Sequence, residues 1–549
     1  MAFFTQSKAV RYLLGISGPI ILALGLWLLL LATNPGRNEI SDAGARLAVT
    51  RQLWTAGEVA VRHRPHGTED LWIKIAPDRY VALWGIGQSL VFVPFDMVSS
   101  LLEQFTPESW RGQLPWLPIG FGLLPLLGLG YWYALRRLLQ EWGFIHPWPT
   151  LGALAMMLGT IMFYYAGQAH EENLVGLCLT LSMLFALKLR RRPIWNNALA
   201  AGFFAGACLT IRPVSVFALL IVPVLIFTLE GSWTTRSRLV AVTGVATAAV
   251  ASIVLWYNFA RFGNAFTVGN DRMGHLSYFA FDGRSPKVLV SLLFGPGAGL
   301  LVLSPVLAIA ICGMHQLWKR DRPYVVGMLV ALLSCYSFFS AWHEFYAPGW
   351  GTRYQVHILP LLAIPVTLGL QRLAVTARGR ALAVVVFALS VGIQSLSVFA
   401  TQHIEHFQAS CEAIALPSHT QGGISDSGTR LPSWATSEER WDLQLLNSPV
   451  HGQLERRVQN LVRWAAGAPP PPLGDLECRS TMATMWDRYI PNFWGPVYAH
   501  RLARSDKWIL LFWSMLFGAS LLAIGVGLRR ELRRMEELDI GPIRTLAGR

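Results

Sequence analysis

Three stretches carry side chains whose types and spacing could do chemistry. The first, NEISDAGARLAVTRQLWTAG, holds Asp42 just beyond an apolar run. The second, AGQAHEENL, sets His170, Glu171 and Glu172 side by side between two apolar runs. The third, AWHEFYAPGWGTRYQVHILP, gathers His343, Glu344, Arg353, Tyr354 and His357 among Trp342, Tyr346 and Trp350. A carboxylate can serve as a general base, and a guanidinium fork can hold phosphate by two prongs. Each stretch also has a plainer reading. Ser41 or Asp42 can cap a helix whose Leu47, Val49, Leu53 and Trp54 rest on a membrane surface. A Glu at the end of an apolar run stays solvated, and an aromatic belt accounts for the rings. Neither accounts for three adjacent ionisable groups, or for Arg, Glu and His around a Gly-Trp-Gly turn.

The elements that must position these residues are apolar spans. The 549-residue chain is 53% hydrophobic and 14% charged, with 22 Trp, whereas a soluble chain has about a quarter of its residues charged. Tight Lys/Arg clusters fall in alternate gaps: Lys8 and Arg11; Arg136 and Arg137; Lys188 and Arg190 to Arg192; Arg236 and Arg238; Lys319, Arg320 and Arg322; Arg372, Arg378 and Arg380; Arg529, Arg530, Arg533 and Arg534. Short basic gaps stay in the cytoplasm, which assigns both ends of the chain inward and the three stretches outward. The expected fold is an all-α polytopic membrane protein of about twelve spans. They lie near 12–32, 116–135, 148–166, 173–189, 197–211, 214–229, 239–257, 298–317, 323–340, 355–371, 381–400 and 508–528. The first is too long for a signal-peptide core and reads as a retained span. Tyr80 to Leu102 is apolar too, but counting it would invert every later basic gap. Interrupted by Gly85, Gly87, Gln88, Pro94 and Asp96, it reads as an amphipathic or re-entrant outer element, and 287–299 as a second.

The outer regions are then 33–115, 259–286 and 401–507. Cys411 and Cys478 lie in the last and are expected to form a disulfide on the oxidising side. Cys178, Cys208, Cys312 and Cys335 fall inside apolar segments as small buried hydrophobes. The formal charge of +14 sits largely in juxtamembrane clusters, which favours anionic lipid headgroups over nucleic acid.

Taken together, the outer elements over residues 12–400 resemble the GT-C superfamily. These are polyprenyl-phosphate-sugar-dependent membrane glycosyltransferases such as protein O-mannosyltransferases and the aminoarabinose transferases of lipid A. The resemblance rests on an acidic residue after the first span, a Glu in the second outer turn, and the blocks WYNFARFGNAF and GWGTRYQ. It implies a GT-C-like catalytic module at 1–400; the alternation of basic gaps adds an outer soluble region at 401–507, which has no counterpart in the family, and a last span with a cytoplasmic tail at 508–549. It also implies a bacterial inner-membrane location and an active site on the outer face, where sugar passes from a lipid-linked donor to a glycan, lipid or protein. In that scheme Asp42 is the base, and Glu171 or Glu172 orients the acceptor or shares its proton. Arg353, with Arg261 and Arg212, meets the donor phosphate, and His170, His343, Glu344 and Tyr354 are further site candidates. Many members pair two acidic residues in the first loop. Here Ala43 and Gly44 follow Asp42, which leaves a divalent metal undetermined. The alternative function is a lipid or solute transporter, whose ionisable groups would lie near mid-span.

Overall fold

The computed structural model of the chain describes residues 18–36, 41–64, 71–108, 114–272, 285–295, 299–341, 350–351, 353–399, 453–471, 482, 486, 492–493 and 506–537. His343, Glu344, Cys411 and Cys478 lie outside the described residues, as does most of 401–507.

The described chain is overwhelmingly helical. Its α-helices include α1 Gly18–Thr33, α2 Ser41–Ala56, α3 Gly87–Glu103, α4 Leu124–Trp142, α5 Trp148–Gly159, α6 Glu172–Arg191, α7 Trp195–Ile211 and α8 Trp233–Phe262. They continue with α9 Ser285–Phe294, α10 Ile309–Arg320, α11 Arg322–Ala341, α12 Ala363–Ala374, α13 Ala377–Phe399, α14 Gln453–Ala465 and α15 Asp506–Glu537. Seven described helices are long and apolar enough to cross a membrane: Leu114–Trp142, Glu172–Arg191, Trp233–Phe262, Arg322–Ala341, Arg353–Ala374, Ala377–Phe399 and Trp508–Arg533. The other five expected spans fall on shorter or broken helices. Prolines explain two of the breaks, because Pro213 and Pro305 each open a 3-10 turn after a residue that ends the preceding helix.

Lipid offers no hydrophobic drive for helix association, so close backbone approach and hydroxyl bonds must supply it. The pair α7 and α8 shows both. Ala198, Gly202 and Gly206 line one face of α7, and a Cβ at Gly206 would sit 2.6 Å from Val250 Cβ and 2.7 Å from the Thr247 carbonyl. At this seam Thr243, Thr247 and Thr210 hydroxyls donate across to the carbonyls of Ala198, Gly202 and Val250 at 3.1–3.2 Å. Elsewhere α1 packs along α15, α6 along α7, and α10 along α12.

Above the bundle sits a layer built from residues 41–108. Within it α2 packs on α3, and the buried Asp96 carboxylate joins them by accepting from Arg51 at 2.8 Å and Trp54 Nε1 at 2.8 Å. The expectation that the apolar residues of α2 rest on a membrane surface is corrected here. Leu47 packs with Phe92, Ile119 and Leu123, and Val49 packs with Val59, Val61 and Trp72, all within the protein. The layer also holds a feature the helical reading missed, a three-stranded antiparallel sheet ordered β1-β3-β2. Its strands are β1 Ala60–Val61, β2 Trp72–Ala76 and β3 Arg79–Ala82, with Val81 facing Ala60 and Ile73.

Tyr80 to Leu102 accordingly divides into β3 and the amphipathic α3. Gln88, Phe92, Asp96 and Ser99 of α3 are buried, whereas Met97, Val98, Leu101 and Leu102 are exposed. The second expected surface element appears as α9, with Val288 and Leu292 inward and Val290 and Phe294 outward.

Candidate active site

The site forms where α2 meets the starts of α6 and of the Arg353–Leu362 3-10 helix. Asp42 lies in the first turn of α2, Glu172 opens α6, Arg212 ends α7, and Arg353 opens the 3-10 helix. Just before it, Gly351 adopts a left-handed φ of 64°, a conformation that glycine reaches without steric cost.

Six charged side chains from these elements alternate in sign around a closed ring. Asp42 Oδ2 accepts from Arg353 Nη1 at 2.8 Å. Arg353 Nε lies 3.7 Å from Glu172 Oε1, which pairs with Arg212 Nη1 at 2.5 Å. The same Arg212 nitrogen is 3.3 Å from Glu171 Oε1, and Glu171 Oε2 pairs with Arg46 Nη2 at 2.5 Å. Arg46 follows Asp42 by four residues on α2, the spacing that puts two side chains on one helix face, and its charge acts on the Asp42 carboxyl, so the ring closes by charge proximity rather than by an ion pair. All six are largely buried, the most accessible being Arg212 at 13% side-chain exposure. Buried charge of this density persists only when paired, and removing one partner costs about 3–5 kcal/mol.

Neighbouring groups complete the walls. His170 Nδ1 lies 3.7 Å from Glu172 Oε2, and the His170 ring meets Tyr165 edge-on at 5.1 Å. The Tyr354 ring lies 4.7 Å from the Arg212 guanidinium and stacks on Phe339. Trp84 underlies Arg46 at 5.6 Å. Several buried polar atoms have no hydrogen-bond partner: Arg353 Nε, Arg46 Nε, Glu172 Oε2, His170 Nε2, Asn173 Oδ1 and Gln88 Oε1. Buried polar atoms are normally satisfied, so the ring retains hydrogen-bonding capacity that the protein itself leaves unused.

Burial pushes the Asp42 carboxyl up, but the adjoining Arg353 and Arg46 guanidiniums more than offset it and hold Asp42 below the ordinary carboxylate range. Burial lowers His170 to about 4, against the opposing pull of Glu172, so its imidazole is neutral near pH 7. Burial raises Glu171, with Glu172 adding to the shift while Arg46 and Arg212 oppose it.

The ring therefore gathers Asp42, Glu171, Glu172, Arg212 and Arg353 into direct contact, with His170 and Tyr354 against it. Arg261 is committed elsewhere. Its Nη1 donates to the Ala82 carbonyl at 2.6 Å and the Trp84 carbonyl at 3.2 Å, and its Nη2 donates to Asn258 at 2.6 Å. Stacked over Tyr257 at 4.0 Å, it fastens the sheet to α8, and these bonds engage both of its terminal nitrogens. His357 is fully buried beside Phe339 with neither ring nitrogen hydrogen-bonded. Sequence reasoning missed Arg46, although its i+4 spacing from Asp42 was a usable signal, and missed Gln88, which donates to the Ala169 carbonyl at 2.7 Å. Among the described residues no group of three or more His, Cys, Asp or Glu side chains is placed to hold a metal ion.

No family model and no curated protein matches the chain. Among solved structures, ArnT from Cupriavidus metallidurans bound to undecaprenyl phosphate is similar over 96% of this chain and 79% of its own, at 14% identity and a TM-score of 0.46. The apo state of that protein is similar over 95% of this chain and 77% of its own, at 13% identity and 0.46. Arabinosyltransferase EmbB from Mycobacterium smegmatis is similar over 93% of this chain and 42% of its own, at 12% identity and 0.37.

Proposed function

We propose that the chain is a membrane glycosyltransferase. It moves a sugar from a polyprenyl-phosphate donor to an acceptor hydroxyl at the face that the basic gaps assign outward. The observation that carries this reading is the closed ring of three carboxylates and three guanidiniums at one end of the helices. A transport path would call for ionisable groups near mid-span; the ring instead gathers at helix starts and ends. A lipid-linked donor keeps its tail in the bilayer and brings phosphate and sugar to that depth. Of the features that resemble GT-C enzymes, the GWGTRYQ block with Arg353, the acidic Asp42 and the Glu of the second outer turn meet at this site, whereas the WYNFARFGNAF block fastens the sheet to α8 through Arg261.

The ring suggests how the base becomes active. Without donor, Arg353 holds Asp42 ionised and weakly basic. Arg353 Nε is free of hydrogen bonds, so a phosphate can engage the fork while Asp42 stays paired. The phosphate charge then neutralises Arg353, and the Asp42 carboxyl rises toward the range useful for proton abstraction. In the transfer, Asp42 takes the acceptor hydroxyl proton as oxygen bonds to the anomeric carbon. The bond from that carbon to the donor phosphate oxygen breaks, and the phosphate leaves with the electron pair on that oxygen, held by the Arg353 guanidinium. Glu172 stays tied to Arg212, which leaves Oε2 and the neutral His170 to accept or donate hydrogen bonds to sugar hydroxyls.

Polyprenyl phosphate binding to the purified protein tests the assignment of Arg353. Arg353→Lys keeps the charge but loses the planar fork, so affinity should fall about tenfold, the loss of one charged hydrogen bond. Unchanged affinity would move the phosphate off Arg353.

A further inference from the structure

The far end of α6 carries a second organised cationic site. Glu172 opens this 20-residue helix and Arg190 and Arg191 close it, which separates the two regions by about 30 Å along the axis. There a cavity of about 150 Å³ is lined by Glu141, Trp142, Arg190, Arg191, Arg320 and Asp321, among others. Those residues come from the ends of α4 and α6 and from the junction of α10 with α11.

The charges in the cavity are unequally satisfied. Arg190 takes Asp321 by two prongs, at 2.5 and 3.2 Å, and also donates to Thr228 at 2.7 Å. Trp142 Nε1 donates to the same Asp321 at 3.3 Å. Glu141 is matched with Arg191 through Nε at 3.5 Å. Arg320 is left over. Its guanidinium lies over the Trp142 ring at 4.1 Å, and no carboxylate among the described residues lies within ion-pair distance of it.

Gly143 brings the unused donors together. It ends α4 with a left-handed φ of 116°, and a Cβ built there would lie 3.0 Å from Arg320 Nη2 and 3.8 Å from Arg191 Nη2. Two like-charged guanidinium nitrogens thus converge on one small gap, which the glycine keeps open. Repulsion between them is relieved when an anion with oxygens spaced to reach both, at about 2.7–2.9 Å from each, occupies the gap.

We propose that this cavity binds a single phosphate group, bridged by Arg191 and Arg320 with Trp142 as its apolar wall. The group comes from an anionic phospholipid headgroup of the leaflet that the basic gaps assign to the cytoplasm, or from free phosphate. The site is independent of the glycosyl-transfer reading and lies outside the charged ring.

The test uses the full chain purified in detergent and stripped of lipid. Native mass spectrometry measures its binding of phosphatidylglycerol, with phosphatidylcholine as the neutral-headgroup comparison. In parallel, thermal unfolding is followed with inorganic phosphate added. Arg320→Gln and Arg191→Gln are compared with Arg238→Gln, a basic-gap substitution outside the cavity. Phosphatidylglycerol affinity should fall about tenfold in Arg320→Gln and Arg191→Gln but not in Arg238→Gln, as expected for one lost charge-assisted bond, and this assigns a lipid headgroup. Protection by phosphate that is lost in the same two variants, with no change in lipid binding, assigns free phosphate. Equal losses in all three variants, or no loss in any, overturn the site. If Arg320→Gln does not fold, Arg320→Lys substitutes for it, and unchanged affinity there together with Arg191→Gln overturns the site equally.

Discussion

Asp42 illustrates how one side chain takes its chemistry from its neighbours. On sequence alone it could equally be a helix cap, and its position in the first turn of α2 is compatible with that. The 2.8 Å bond to Arg353, 311 positions away, is a contact that a cap alone does not call for. Asp42→Asn should lower sugar transfer by about 10²–10⁴-fold, the usual value of a general base. It should leave polyprenyl phosphate affinity equal or tighter, because Arg353 loses its anionic partner. A cap role predicts near-normal turnover, since Asn caps as well as Asp, and turnover of the purified variant decides between them. A second prediction concerns pH. Glu171 sits above the ordinary carboxylate range because burial outweighs the pull of Arg46 and Arg212. If the ring requires ionised Glu171, activity is full above that pKa and is lost as pH falls through it. Arg46 favours the ionised form, so Arg46→Gln should move the acid limb of kcat/KM upward by ~1 unit. An unmoved limb would exclude Glu171 as the group that sets it. Asp42 and His170 do not produce this limb in the unliganded protein, as Asp42 lies below its usual value and His170 titrates near 4.

At the scale of elements, the Gly202–Gly206 seam and the layer of residues 41–108 fix where the ring stands. Gly206→Leu would drive a side chain into Val250 and the Thr247 carbonyl, costing about 1–3 kcal/mol as core overpacking does. The thermal unfolding midpoint should drop, and an unchanged midpoint would mean that α7 and α8 do not approach this closely. Arg457 of α14 is a more distant support. It is fully buried, lies 4.6 Å from the Trp350 ring, and donates to the Leu396 carbonyl at 2.9 Å. Trp350 in turn accepts from Tyr165 at 3.3 Å and precedes Arg353 by three residues. Arg457→Ala should therefore loosen the turn that aims Arg353 and weaken polyprenyl phosphate binding by about tenfold, while circular dichroism still reports a helical protein. Unchanged binding would detach α14 from the site. This connection was not legible beforehand, because nothing in residues 401–507 signals what their helix touches. The hairpin could have been read: Pro77–Asp78 between WIKIA and RYVA is a turn pair flanked by strand-forming runs. It was missed because the long apolar run from Tyr80 pointed to a helix.

For the molecule as a whole, hydropathy and charge carried most of the architecture. Apolar length marks spans because lipid cannot satisfy exposed backbone, and seven described helices are long and apolar enough to cross. Span integrity was less legible, since breaks such as those at Pro213 and Pro305 depend on local backbone that average hydropathy ignores. The candidate site was legible as three separate stretches. Their convergence into a ring was not, as it depends on contacts across 125 and 311 positions. The central claim is that this ring transfers a sugar from a lipid phosphate, and the most direct test is turnover in reconstituted vesicles. The vesicles carry polyprenyl phosphate bearing a labelled sugar, with a cell-envelope extract as acceptor pool. The expected result is loss of labelled sugar from the lipid with matching release of polyprenyl phosphate, abolished in Asp42→Asn although that variant still binds the lipid. Intact sugar-lipid crossing between leaflets without release, or equal release in the Asn variant, would contradict it.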